Sequence, residues 1–188
     1  INRSLRTVRR QKISPEKERT YMPIRVLVVC LGNICRSPMA EFIFKDKIAR
    51  AGLSEQFIVE SAGTSSEEEG NPVYPPARAE LARHNISCAG KRARRVRPSD
   101  YTNFDYILAA EARNVQGCLR IFGGDPEKKV FRMLDFSSRP RDISDPWWTG
   151  DFAAAYRDID EGTDGFLRML SESGKIPPKN FGGGANNG

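Results

Sequence analysis

The run Cys30-Leu31-Gly32-Asn33-Ile34-Cys35-Arg36-Ser37-Pro38 brings a thiol, a guanidinium and a glycine-containing turn together within nine residues. Those residue types at that spacing suit one chemistry. Successive backbone N–H groups from Leu31 to Arg36 can converge on a tetrahedral anion, and a helix starting at the end of the run adds partial positive charge. Gly32 permits a backbone closed to most side chains, Asn33 tolerates left-handed geometry and can brace the loop, and Arg36 offers a forked cation for two phosphate oxygens. The same field favours the ionised form of a sulfur at the start of the loop. Cys30, held beneath a phosphate, is then placed to attack phosphorus in line with the leaving oxygen and form a phosphocysteine. Taken singly, a cysteine closing an apolar strand is an inert core residue and an arginine near a helix start lies on the surface. The joint spacing carries the reading.

Such a loop needs a strand before it and a helix after it. Ile24 to Val29 is short, β-branched and nearly all apolar, as a strand covered on both faces must be. Ser37-Pro38 reads as an N-cap followed by the first helical residue, opening a helix over Met39 to Arg50 that Gly52 stops. Further strands are expected at 57–60, 104–109 and 129–134, and helices at 76–85, 111–121 and 152–170. On the last helix Phe152, Ala155, Tyr156, Ile159, Phe166, Leu167 and Leu170 form an apolar face. This alternation predicts a single-domain α/β fold: a four-stranded parallel sheet with helices on both faces and a phosphate-binding loop after the first strand, where open α/β sheets bind ligands.

The loop residues resemble the low-molecular-weight protein tyrosine phosphatases, whose C-x5-R-S signature stands here as Cys30 to Ser37 after the first strand. The resemblance runs from about Pro23 to Leu170 and takes in Ser61-Ala62-Gly63-Thr64-Ser65, Ala93-Arg94, the stretch from Phe104 to Asn114 and Asp145-Pro146-Trp147-Trp148. It implies hydrolysis of phosphotyrosine with Cys30 as nucleophile, Arg36 as clamp and Asp145 as general acid and then base. Phosphate and substrate would meet Leu31, Gly32, Asn33, Ile34, Cys35, Ser37, Trp147 and Trp148. A phenolate leaving group with a conjugate-acid pKa near ~10 makes such a proton donor useful. Trp147 is read as a ring contact, and Trp148 is left open between that and core packing. Ser37 can bond the Cys30 sulfur or cap its helix; Ser61 resembles the family serine that braces the loop asparagine, here Asn33. Cys35 is either a reversible disulfide partner of Cys30 under peroxide or a small apolar wall.

Two departures stand out. The family histidine that steadies the loop asparagine is missing, its region reading Gly90-Lys91-Arg92-Ala93-Arg94, and His84 belongs to an earlier helix. Glu111 stands where relatives commonly carry Asp and is given no catalytic role. The basic run Lys91, Arg92, Arg94, Arg95 and Arg97 is read as a solvated strip.

Other functions on the same fold are an arsenate reductase, which relays electrons through two neighbouring cysteines, and a protein arginine phosphatase, in which Thr is typical at the position of Ile34. A non-catalytic phosphate-binding module is the different-class alternative. Cys88 and Cys118 lie thirty residues apart, which speaks against the relay. The bulk of Ile34 suits an aryl phosphate.

Composition narrows the classes further. The net charge of +6 over 188 residues is concentrated in residues 1–22, where seven basic residues face two acidic ones; residues 23–188 hold 23 basic and 22 acidic residues. A near-neutral body argues against nucleic-acid binding. Residues 1–22 are read as a basic, disordered extension or a segment foreign to the native chain, 23–175 as the phosphatase domain and 176–188 as a flexible tail. Four cysteines without a C-x-x-C pair and a single histidine suggest no disulfide scaffold, metal or cofactor. No apolar run is long enough to span a membrane, so a cytoplasmic enzyme is expected, with phosphotyrosine proteins as partners, a tyrosine kinase among them.

Overall fold

The computed structural model describes residues 22–182. Its centre is β1 (Ile24–Cys30), whose apolar side chains alternate between two cores. Val26, Val28 and Cys30 face one side with Met39, Ile43 and Phe44 of α1 (Arg36–Arg50), Leu81 of α2 (Pro75–Arg83) and Ile159, Phe166 and Leu170 of α6 (Phe152–Glu172). Leu27 and Val29 face the other with Tyr101 of α3 (Asp100–Asn103) and Cys118 of α4 (Ala112–Phe122). A strand buried on both faces has no place for the alternating polar residues of a half-exposed one.

The sheet is all parallel, with order β2-β1-β3-β4, where β2 is Phe57–Gly63, β3 Tyr106–Ala109 and β4 Val130–Arg132. The chain leaves β1 to pair β2 on one side and later returns to pair β3 on the other. The carboxyl end of β1 is therefore the switch point of the sheet, and the loop from Cys30 to Arg36 occupies it.

Several boundaries differ from the sequence expectation for local reasons. Helix α1 begins at Arg36 with Cys35 as N-cap and no side-chain cap, so Ser37 is not the cap but lies inside the first turn, its hydroxyl turned toward the loop. Strand β2 runs on to Gly63. Strand β4 stops at Arg132, where the chain tightens into a 3-10 turn over Met133–Phe136. The short helices α3 and α5 (Pro146–Thr149) are additions. Packing also continues past residue 175: Ile176 and Phe181 are buried against the α1–α6 core, and Arg168 donates to the Phe181 carbonyl at 2.9 Å. The basic extension, apart from Met22, and the last six residues lie outside the described residues.

Candidate active site

The loop is hung on the scaffold by its carbonyls. Those of Cys30, Leu31, Ile34 and Cys35 accept from the amides of Thr64 (3.0 Å), Ser65 (2.9 Å), Tyr74 (2.9 Å) and Met39 (3.1 Å). With the oxygens turned outward, the N–H groups are left on the inner side. Asn33 N donates to Cys30 Sγ at 3.3 Å, and among the described residues no other amide from Leu31 to Arg36 has a protein acceptor. Such an array of unspent donors at a helix N-terminus is an anion nest. Gly63 makes the close approach possible: a Cβ there would stand 2.6 Å from the Leu31 carbonyl oxygen and 3.1 Å from the Asn33 amide nitrogen.

Asn33 is the keystone of the loop. Its φ of 59° is left-handed, a conformation asparagine tolerates better than most residues. Its Nδ2 donates to the hydroxyls of Ser37 (2.8 Å) and Ser61 (2.9 Å), while Oδ1 accepts from the Arg94 amide at 3.0 Å. Ser37 Oγ is 3.0 Å from Cys30 Sγ and 3.3 Å from the Ala62 carbonyl. Because Asn33 supplies a donor to Ser37, the single hydroxyl proton of Ser37 is left to go to the nearer sulfur or to the Ala62 carbonyl.

Behind Ser61 lies a group that sequence reasoning missed. Ser61 Oγ donates to buried Glu41 at 2.6 Å, and Glu41 pairs with Lys91 (2.9 Å) and Lys45 (2.6 Å). Lys91 also donates to the Ser61 carbonyl at 3.1 Å. Burial pushes the Glu41 carboxyl up, but the charge of Lys91 and the hydrogen bonds from Lys45 and Ser61 outweigh it and hold it below the ordinary carboxylate range. The brace expected from a histidine is thus provided by a lysine–glutamate pair. The expected solvated strip is only partly so, since Arg94 is also tied inward, to Asp100 (2.9 Å) and Glu60 (3.1 Å).

Arg36 is 2 % exposed. Its guanidinium donates to the Ile143 carbonyl at 2.8 Å and pairs with Asp145 at 3.0 Å and Glu111 at 3.2 Å. Glu111, given no role from sequence, therefore helps to aim the fork from the N-cap of α4. Asp145 caps α5, accepting from the Trp147 amide at 3.1 Å, and Pro146 stiffens the chain behind it.

Cys30, Leu31, Gly32, Ile34, Cys35, Arg36, Asp145, Trp147 and Trp148 share one cleft of about 220 Å³. Asn33, Ser37 and Ser61 brace it from behind. Trp147 packs against Tyr74 with ring centres 4.9 Å apart and planes tilted by 51°, while Trp148 is 83 % exposed and so is not a core residue. Glu67 and Glu68 also line the cleft, and no local pattern in the sequence marks them. Cys35 is a free thiol that burial, with help from the Cys30 and Asp145 charges, pushes up to about 12.

A sulfur under unspent amides, a buried arginine fork and a carboxyl across an apolar slot define an α/β domain built for transfer of a phosphoryl group through cysteine. The chain belongs to the low molecular weight phosphotyrosine protein phosphatases, whose family model matches residues 25–176. It is 37% identical over 155 residues to the low molecular weight protein-tyrosine-phosphatase YfkJ of Bacillus subtilis, covering 81% of this chain and 99% of that one. It is 38% identical over 149 residues to low molecular weight phosphotyrosine protein phosphatase 2 of Drosophila melanogaster, covering 77% and 90%. The crystal structure of YfkJ superposes with a TM-score of 0.78 over 81% of this chain and 97% of its own. That of a Drosophila arginine phosphatase superposes with a TM-score of 0.72 at 30% identity, covering 78% and 98%.

Proposed function

We propose that this chain hydrolyses phosphotyrosine in proteins, with Cys30 as nucleophile, Arg36 as phosphate clamp and Asp145 as proton donor. The phosphoryl group sits in the amide nest, two oxygens on the Arg36 fork. Cys30 Sγ attacks phosphorus and the bond to the phenolic oxygen breaks, while Asp145 delivers its proton to that oxygen. In the second step the Asp145 carboxylate takes a proton from water as its oxygen bonds to phosphorus. The S–P bond breaks, and the departing sulfur receives the Ser37 hydroxyl hydrogen bond. The products are tyrosine and inorganic phosphate. The observation that carries this reading is the convergence of Cys30, Arg36 and Asp145 on one cleft walled by Trp147 and Trp148.

Phosphotyrosine proteins are then the partners, a tyrosine kinase among them. A cytoplasmic site of action is part of this proposal; no helix among the described residues is long and apolar enough to cross a membrane. Phosphoarginine is the second reading: Glu67 and Glu68 line the same cleft and would suit a guanidinium. The apolar Leu31, Ile34 and tryptophan walls favour the aryl group. An arsenate-reductase relay fits poorly, because Cys88 and Cys118 are buried in separate cores on opposite faces of the sheet.

Turnover of a phosphotyrosine peptide, an aryl phosphate and phosphoarginine decides among these. The first two should be hydrolysed, Cys30→Ser should be inactive, and Asp145→Ala should be slowed by roughly two to four orders of magnitude. Preferential release of phosphate from phosphoarginine would reassign the substrate, and unchanged activity in Cys30→Ser would refute the mechanism.

A further inference from the structure

A second groove, about 790 Å³, adjoins the catalytic cleft and shares Leu31 with it as a common wall. It runs between α4 and the segment 95–98. Gly117 in its floor lets α4 approach closely, since a Cβ there would stand 2.8 Å from the Thr64 methyl. Arg95, Arg97 and Arg120 line the groove against a single carboxylate, Glu69. Most charged side chains near the site are paired: Arg36, Lys91 and Arg94 each hold a carboxylate. By contrast, the side chains of Arg95, Arg97 and Arg120 are exposed and make no hydrogen bond or ion pair among the described residues. Three unpartnered guanidiniums around one groove form a site of positive potential facing solvent, with forks suited to carboxylate or phosphate.

Resting on the phosphotyrosine reading above, we propose that this groove binds a second anionic group of the same substrate, an acidic or phosphorylated residue within a few positions of the phosphotyrosine. A chain leaving the catalytic cleft on this side crosses Leu31, which is 48 % exposed, and enters the groove directly. Its anionic side chain meets forks that need give up no other partner to bind it. A phosphate, carrying a charge of about −2, engages them more strongly than a carboxylate.

The test compares kcat/KM for phosphotyrosine peptides that differ at one position, two or three residues to either side of the phosphotyrosine, which holds Ala, Glu or phosphoserine. The wild-type chain should favour the phosphoserine and Glu peptides over the Ala peptide by roughly 5- to 20-fold at low salt, chiefly through KM. The gain should shrink on raising ionic strength to about 0.5 M. In Arg95→Ala/Arg97→Ala/Arg120→Ala the peptides should converge, while turnover of a small aryl phosphate stays unchanged. A gain from phosphoserine alone assigns the groove to phosphate, and a gain from both assigns it to anionic side chains in general. Equal rates for all three peptides in the wild type, or a preference that survives the triple substitution, would overturn the groove while leaving the catalytic reading standing. Absence of aryl phosphate turnover in the wild type would overturn both.

Discussion

The two walls of the catalytic cleft are built on opposite plans. The loop from Cys30 to Arg36 has four of its carbonyls claimed by two separate segments and its own helix, its asparagine bonded on both ends, and its arginine buried. The facing segment from Asp145 to Trp148 is a single turn held by a salt bridge to Arg36, a tilted ring contact to Tyr74 and the buried Pro146. The difference matches the two tasks proposed for these walls. Stabilising charge on a transferring phosphoryl group requires donors fixed in advance, since any reorganisation would be subtracted from their benefit. Accepting varied peptides and delivering a proton requires a wall that can adjust.

Substitutions in the loop should therefore be costly out of proportion to their size. Arg36→Lys keeps the charge but loses the fork and its ties to Ile143 and Glu111, and should lower kcat by roughly 10²–10³, read from steady-state kinetics. Asn33→Ala removes three side-chain bonds and should lower kcat by about 10- to 100-fold, with stability reduced by about 1–3 kcal/mol in urea unfolding. A wild-type rate in either variant would mean the loop holds its shape without these groups.

Lys91→Met tests the brace behind the loop. It leaves the buried Glu41 carboxylate with Lys45 as its one remaining cation, beside the Ser61 hydroxyl, and should destabilise by about 1–3 kcal/mol at neutral pH. Because the folded-state pKa of Glu41 is depressed, the stability it contributes is complete above the unfolded-state value of 4.5 and is lost as pH falls through the folded value. The gap between wild type and variant should thus be widest near pH 7 and narrow below pH 4.5, as urea midpoints against pH would show. On the facing wall, Trp148→Ala should change kcat for an aryl phosphate by less than about threefold, because Trp148 lines the cleft at its exposed rim and Trp147 remains to cover a small ring. The smallest signal is expected from iodoacetate at neutral pH on Cys30→Ser. Burial pushes Cys35 and Cys118 up to about 12 and raises Cys88 as well, so the three remaining thiols should take up little label by mass spectrometry.

What could be read from the sequence follows the same division. Cys30, Arg36 and the strand and helix flanking them were evident because they are contiguous and the chemistry requires them at fixed offsets. Asp145 and Ser61 emerged only through the family resemblance, since nothing local links them to the loop. Lys91 looked like part of a charged surface strip because its partner Glu41 lies fifty positions away, on the inner side of α1. Ser37-Pro38 imitated a capping pair; its actual orientation is set by Asn33 and Cys30, one turn earlier. Tail residues Ile176 and Phe181 are isolated apolar positions in a polar stretch and gave no periodic signal.

The outward-facing carbonyls of the loop carry one last implication. Their acceptor bonds come from Thr64, Ser65 and Tyr74, and the asparagine is steadied by Arg94, so the nest cannot be assembled by its own nine residues. It comes into being only once chain segments up to 61 positions apart have docked, which makes catalysis an all-or-none reporter of the folded state. In graded denaturant, activity and helical circular dichroism should disappear along a single curve, with no inactive yet fully helical species between them.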